Sequence, residues 1–99
     1  MKNTEPEIIA DVTFYPTEAG GKKLTVHGEW YGCPCKVGEE YWECRILLLH
    51  KITIAPGETR RVGIVFLSSE GAEKVRLAGK FLLWEGRSIG EGIVVDPNP

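Results

Sequence analysis

The stretch Ala55-Pro56-Gly57-Glu58-Thr59-Arg60-Arg61-Val62-Gly63-Ile64-Val65-Phe66-Leu67 decides the fold class. Pro56 presets one backbone angle and Gly57 accepts the positive φ that follows in a type II turn, so the chain reverses there. Beyond the turn, Arg60, Val62, Ile64 and Phe66 alternate with Arg61, Gly63, Val65 and Leu67, which is the period of a strand. Both sets become apolar toward the far end, which predicts a central strand covered on both sides there.

The same signals extend outward. Upstream, Ala10, Val12 and Phe14 alternate with Asp11, Thr13 and Tyr15 as a first strand, and turn residues follow over 16–21. Residues 24–27 read as a short strand, broken by Gly28 and again by Gly32-Cys33-Pro34. Residues 41–54 are rich in aromatic and β-branched side chains. Their apolar run at 46–49 also fits one turn of buried helix, but Gly and Pro clusters bound it and no helix cap precedes it, so strand is favoured. Downstream, residues 68–74 read as a loop or a single helical turn, with Ser69 as its cap and Gly71 arguing against a longer helix. Residues 75–84 read as a strand, Glu85-Gly86-Arg87 as a turn and residues 88–95 as the last strand, with Gly79, Gly90 and Gly92 at bulges or sharp bends. Five or six short antiparallel strands favour a barrel or a sandwich, which pattern alone does not separate.

Ninety-nine residues hold one domain. It is expected over residues 8–96, with a flexible N-terminus at 1–7 and a frayed end at 97–99. Twelve Lys and Arg against fourteen Asp and Glu leave a net charge of −2, so no overall basic field exists to hold a phosphate backbone. No apolar run approaches a signal-peptide core or a membrane span, which places the chain in the cytoplasm by expectation. Three cysteines, an odd count, then fit reduced thiols better than a disulfide framework.

Ala10-Asp11-Val12-Thr13-Phe14, followed after a short turn by Gly20-Gly21-Lys22, resembles the opening strand and Gly-Gly-Arg/Lys turn of the third domain of elongation factor Tu. Three later segments are similar to the same domain in the same order. Trp30-Tyr31-Gly32-Cys33-Pro34 resembles its Gly-Tyr-Arg-Pro segment, and Pro56-Gly57-Glu58 with the strand after it resembles its Pro-Gly-Asp turn. Residues 84–94, Trp-Glu-Gly-Arg-Ser-Ile-Gly-Glu-Gly-Ile-Val, resemble its closing hairpin. The resemblance spans about residues 9–95 and implies an all-β, six-stranded antiparallel β-barrel living alone. In the family this domain helps hold the T-arm of aminoacyl-tRNA and contacts partner proteins, which implies a translation-related role and puts Lys22, Lys23, Glu85 and Arg87 at the matching loop positions. The chain lacks arginine in its Gly-Tyr-Arg-Pro-like segment, which weakens the tRNA reading. The GTPase activity of the family belongs to another domain, and no G-x-x-x-x-G-K-[ST] loop is present here, so no nucleotide is expected to bind.

Other constellations carry less. Cys33, Cys35 and Cys44, with His27 and His50 at a distance, are candidate zinc ligands, but a single intervening Pro34 strains two ligands reaching one ion. Packing as small apolar fillers near a turn is the plainer reading. No C-x-x-C in a βαβ context supports a redox role, and Ser68-Ser69 lacks the elbow of G-x-S-x-G hydrolases. His27 and His50 fall at strand ends, and Glu39-Glu40 lies in a polar turn, so no catalytic set is recognisable. Lys22, Lys23, Arg60, Arg61, Lys74, Arg76, Lys80 and Arg87 are a candidate basic cluster, and Trp30, Tyr31, Trp42 and Trp84 are candidate stacking surfaces for bases. Arg60 and Arg61 are adjacent in a strand and point to opposite faces, so only one joins any single patch. The expected function is a non-catalytic, stand-alone barrel module that binds a protein partner without a cofactor, as a monomer or weak homo-oligomer. RNA or tRNA binding is the alternative, and a metal- or thiol-dependent protein the third reading.

Overall fold

Alternating segments set six strands: β1 (Ile8–Phe14), β2 (Trp30–Val37), β3 (Glu40–Leu47), β4 (Thr59–Phe66), β5 (Lys80–Trp84) and β6 (Ser88–Val95). In the computed structural model, which describes residues 6–19 and 25–95, they close into one antiparallel barrel in the order β1-β4-β3-β2-β5-β6. Closure gives every strand two neighbours, with the shortest ladder, between β2 and β5, covering only Cys35 and Lys36 of β2. Among the described residues no helix is long and apolar enough to cross a membrane.

Strand alternation sends Ala10, Val12 and Phe14 of β1 inward, against Cys33 and Cys35 of β2, Cys44 and Ile46 of β3 and Val62, Ile64 and Phe66 of β4. A six-stranded barrel has a narrow interior, so large side chains must face small ones. Gly92 is the clearest case. It stands opposite Phe81 in the β5–β6 register, and a Cβ there would lie 2.5 and 2.7 Å from Cε2 and Cε1 of that ring. The same ladder slips between Leu83 and Trp84, which leaves Ile89 as the extra, buried residue of a bulge beside Gly90.

The segment after Ser68 corrects the sequence reading. It forms a helix, α1 (Ser69–Ala78), so β5 begins at Lys80 rather than at residue 75. Ser68, not Ser69, is the N-cap: the Gly71 N–H donates to its Oγ at 3.0 Å. Gly79 is the helix terminator and not a strand bulge, at φ +83° with its N–H bonded to the Val75 carbonyl. Gly71 does not stop the helix, because it lets the backbone settle on Trp42: a Cβ there would meet the indole Cε3 at 3.0 Å. That packing outweighs a propensity cost of about 1 kcal/mol. Ala72 and Val75, three apart and both buried, face the barrel on the same side.

Further expectations change. Gly32-Cys33-Pro34 does not break a strand; β2 pairs with β3 along its whole length, from Trp30↔Leu47 to Val37↔Glu40. Pro34 stands just outside the short β2–β5 ladder, which covers only Cys35 and Lys36, an edge-like position where a missing N–H is tolerated. The cysteines are therefore mid-strand core residues and not turn fillers. The long strand expected at 41–54 ends at Leu47, and the one expected at 24–27 is reduced, among the described residues, to a Val26–Ile54 bridge. β4 is covered outside at Gly63, where Pro6 packs, but Leu67 beyond it is 64% exposed.

The register fixes two ends. Ile8, Val37, Glu40, Phe66, Lys80 and Val95 lie at the end where α1 packs; Phe14, Trp30, Leu47, Thr59, Trp84 and Ser88 lie at the other. At the helix end Glu7 is fixed on three sides. Its N–H donates to the Ile64 carbonyl at 2.9 Å, its carboxylate accepts the Phe66 N–H at 2.6 Å, and its carbonyl accepts from Arg76 Nη2 at 2.9 Å.

Candidate functional site

Loops rather than a helix build the open end. Val26 and Ile54 exchange backbone bonds of 3.0 and 3.2 Å, and the Leu48 N–H donates to the Glu29 carbonyl at 2.9 Å, so residues 26–30 and 48–54 are tied side by side. Between them and the outer faces of β3 and β4 runs a groove of about 800 Å³. That volume falls in the range of small-ligand and peptide sites. Trp30, Leu47, Leu48, Leu49 and Val65 supply its apolar wall, and His27, Glu29, Arg45, His50, Lys51 and Thr53 its polar groups.

Strand alternation turns Trp30 of β2 and Arg45 of β3 outward. The Arg45 guanidinium carbon lies 4.3 Å from the centroid of the Trp30 ring, a cation–π stack that fixes the plane of the fork. Among the described residues Arg45 has no carboxylate or carbonyl partner. The arginines Arg60, Arg61 and Arg76 are engaged. Arg61 holds Asp11 through two bonds of 2.8 and 3.2 Å, Arg76 holds Glu73 at 2.9 Å, and Arg60 donates to the Thr53 carbonyl at 3.1 Å with Glu58 3.7 Å away. The Arg61 hydrogen bond, reinforced by its charge and opposed by slight burial, holds the Asp11 carboxyl below its ordinary range.

The groove rim is strained. His50 (φ 58°, ψ 31°) and Lys51 (φ 61°) are consecutive non-glycine residues at positive φ. Each such residue costs about 1–2 kcal/mol, and strain of this kind concentrates at functional sites. Two large apolar side chains of this lining stay exposed, Trp30 at 46% and Leu49 at 41%.

The residues singled out from sequence distribute unevenly. Lys22 and Lys23 lie outside the described residues. Glu85 and Arg87 sit in the β5–β6 turn at the open end, where the Tyr31 hydroxyl donates to Glu85 and the Glu85 N–H to the Arg87 carbonyl. His27 and His50, expected as strand-end residues, both line the groove. The four aromatic candidates do not form one platform. Tyr31 packs edge-on against Phe14 at 5.8 Å, Trp42 lies beneath Gly71 of α1, and Trp84 meets Tyr41 and Lys36 on the outer wall. Nor do the basic residues merge, since Arg60, Arg61, Lys74 and Arg76 each face an acid.

All three cysteines are buried, with Cys35 Sγ and Cys44 Sγ 3.0 Å apart and the Cys44 thiol donating to the Cys33 carbonyl at 3.2 Å. The Cys33 side chain pulls the Cys44 thiol down, but the hydrogen bond to Cys35, burial and the charges of Cys35 and Glu43 outweigh it, and the net shift is strongly upward. Cys44 therefore stays a neutral thiol, the form that is neither nucleophile nor metal ligand. Among the described residues no three of His, Cys, Asp and Glu converge to hold a metal ion.

Sequence reasoning missed Arg45, Leu49 and Lys51. The outward position of Arg45 is legible in the alternation of β3, but its stack on Trp30 depends on the β2–β3 register, which no local pattern carries. Comparison with protein-family models gave no match, and comparison with curated proteins gave no significant match, so the site stands on its own geometry.

Proposed function

We propose that this chain is a non-catalytic interaction module of the cytoplasm, a barrel of the kind that forms the third domain of elongation factor Tu, and that it binds a protein partner at its open end without a cofactor. The observation that carries this reading is the groove of about 800 Å³ whose rim exposes Trp30 and Leu49. Apolar side chains gathered on one face, rimmed by polar groups, are the signature of a protein-contact surface. RNA or tRNA binding is the second reading, supported by the Arg45–Trp30 stack, on which a base could rest. The paired state of Arg60, Arg61 and Arg76 and the net charge of −2 weigh against it.

The test is affinity purification of the tagged native protein and of a Trp30→Ala, Leu49→Ser variant, each in nuclease-treated and untreated halves. A protein retained by the native chain, lost from the variant and indifferent to nuclease is the expected result. Nuclease-sensitive recovery, or equal recovery by both chains, would refute the reading. In filter binding, tRNA is expected to associate no tighter than about 10⁻⁴ to 10⁻⁶ M at physiological salt.

A further inference from the structure

The geometry points to an acidic, apolar-anchored peptide segment as the ligand of the groove: a stretch of a partner protein whose apolar side chain enters between Trp30 and Leu49 while flanking carboxylates meet Arg45 and Lys51. This rests on the protein-partner reading and adds the chemistry of what binds.

Stacking on Trp30 at 4.3 Å occupies one π-face of the Arg45 guanidinium and leaves its in-plane N–H donors available. A carboxylate takes two such donors at once, in the geometry that Asp11 already imposes on Arg61. No acid of the described residues does so at Arg45. Lys51 lies on the same groove, held at φ 61° on its rim, and likewise has no acid partner among the described residues.

Charge decides between ligands. The groove lining carries two full cations, Arg45 and Lys51, against one anion, Glu29, so it is locally positive on a chain of net −2. His27 and His50 add further donors. An acidic segment is therefore repelled by the chain as a whole and attracted here, which confers specificity as well as affinity. A nucleic-acid backbone needs a continuous cationic track. Glu29 in the groove interrupts such a track. Two carboxylates on either side of one apolar side chain match two cations beside an apolar wall.

The experiment selects from a phage-displayed library of random peptides on the native protein and on Trp30→Ala, with thermal melts confirming that each variant folds. Selected peptides are expected to be enriched in Asp and Glu around a Leu, Phe or Trp. In fluorescence titration one of them should lose about tenfold or more in affinity to Arg45→Gln and less to Arg45→Lys. Peptides with no acidic excess, no enrichment over Trp30→Ala, or unchanged affinity for Arg45→Gln each overturn the inference. If the partner captured through Trp30 and Leu49 still binds Arg45→Gln at full strength, the acidic ligand is wrong and the protein-partner reading survives. If oligouridylate binds more tightly than every selected peptide, both fall.

Discussion

One end of the barrel is closed by a capped helix, and the other by loops that leave a groove and two cations without acid partners among the described residues. Ser68 caps α1, Gly79 ends it, Val75 is fully buried, and Glu7 is bonded through its N–H, its carbonyl and its carboxylate. At the groove, His50 and Lys51 sit in strained backbone, Trp30 and Leu49 are half in solvent, and Arg45 has no acid partner among the described residues. Both ends are built on the same six strands, so the difference lies in what closes them. A helix buries its apolar stripe and satisfies its own backbone, whereas loops leave side chains facing outward and place them where a rigid wall dictates. The capped helix thus lies at one end and the proposed recognition groove at the other.

A matched pair of glycine substitutions strains that comparison most. Gly92, on the helix side of the wall, is overlain by the buried ring of Phe81, which is 3% exposed and has nowhere to go. Gly92→Ala is expected to cost about 3 kcal/mol, at the upper end of overpacking effects, with part of the loss recovered when Phe81→Leu makes room. Gly32, on the groove side, has the half-exposed ring of Trp30 at 3.1 Å from a Cβ and the Cys44 carbonyl at an ordinary 3.7 Å. Gly32→Ala should cost less than about 1 kcal/mol, because that ring can shift toward solvent. Urea denaturation measures both. Equal losses would show that the groove end is as tightly packed as the helix end.

What the sequence discloses divides along the same line. Alternation at residues 10–14 and 60–66 and the Pro56-Gly57 turn are local signals, and they placed β1, β4 and the turn between β3 and β4. The resemblance turned an open choice between barrel and sandwich into a six-stranded barrel, which is the observed closure. α1 escaped because its support is not local: Gly71 is favoured only once Trp42 lies beneath it, and Val75 looks like a strand residue until Ala72 shares its buried face. The groove escaped for a related reason. His27 and His50 were singled out singly, but their convergence with Arg45 and Lys51 depends on the Val26–Ile54 bridge, a pairing of residues far apart in the chain.

Strain at the groove rim should be visible as stability gained on release. Lys51→Gly removes a side chain from positive φ, which is worth about 1–2 kcal/mol, against about 0.5–1 kcal/mol for the greater freedom of glycine in the unfolded chain. The expected net is a gain of about 0.5–1 kcal/mol in urea denaturation, opposite in sign to any loss at the helix end. It should come with weaker binding of an acidic peptide, since Lys51 supplies one of the two groove cations. A loss of stability instead would mean that contacts of the Lys51 side chain outweigh the strain, and the groove end would no longer differ from the helix end in kind.

The smallest expected effect comes from the wall between the two ends, where Asp11, at the middle of β1, pairs with Arg61 of β4. The Arg61 hydrogen bond holds the Asp11 pKa below its ordinary value, and the reciprocal hydrogen bond and charge of Asp11 push that of Arg61 up. Because the folded-state value of Asp11 is the lower one, the pair's contribution is fully present above the unfolded value, near pH 4, and is lost as pH falls through the folded value. Arg61 stays charged over that whole range, so it adds no slope of its own. Exposure of both side chains keeps the contribution small. Melting temperatures of the native protein and of Asp11→Asn, compared from neutral pH downward, should differ slightly at pH 6–7 in favour of the native chain and converge below about pH 3.8. A gap that persists undiminished at the acid end would mean that Asp11 stabilises the wall by its shape or its neighbours rather than by its charge. The wall would then belong with the helix end, where packing rather than electrostatics sets the stability.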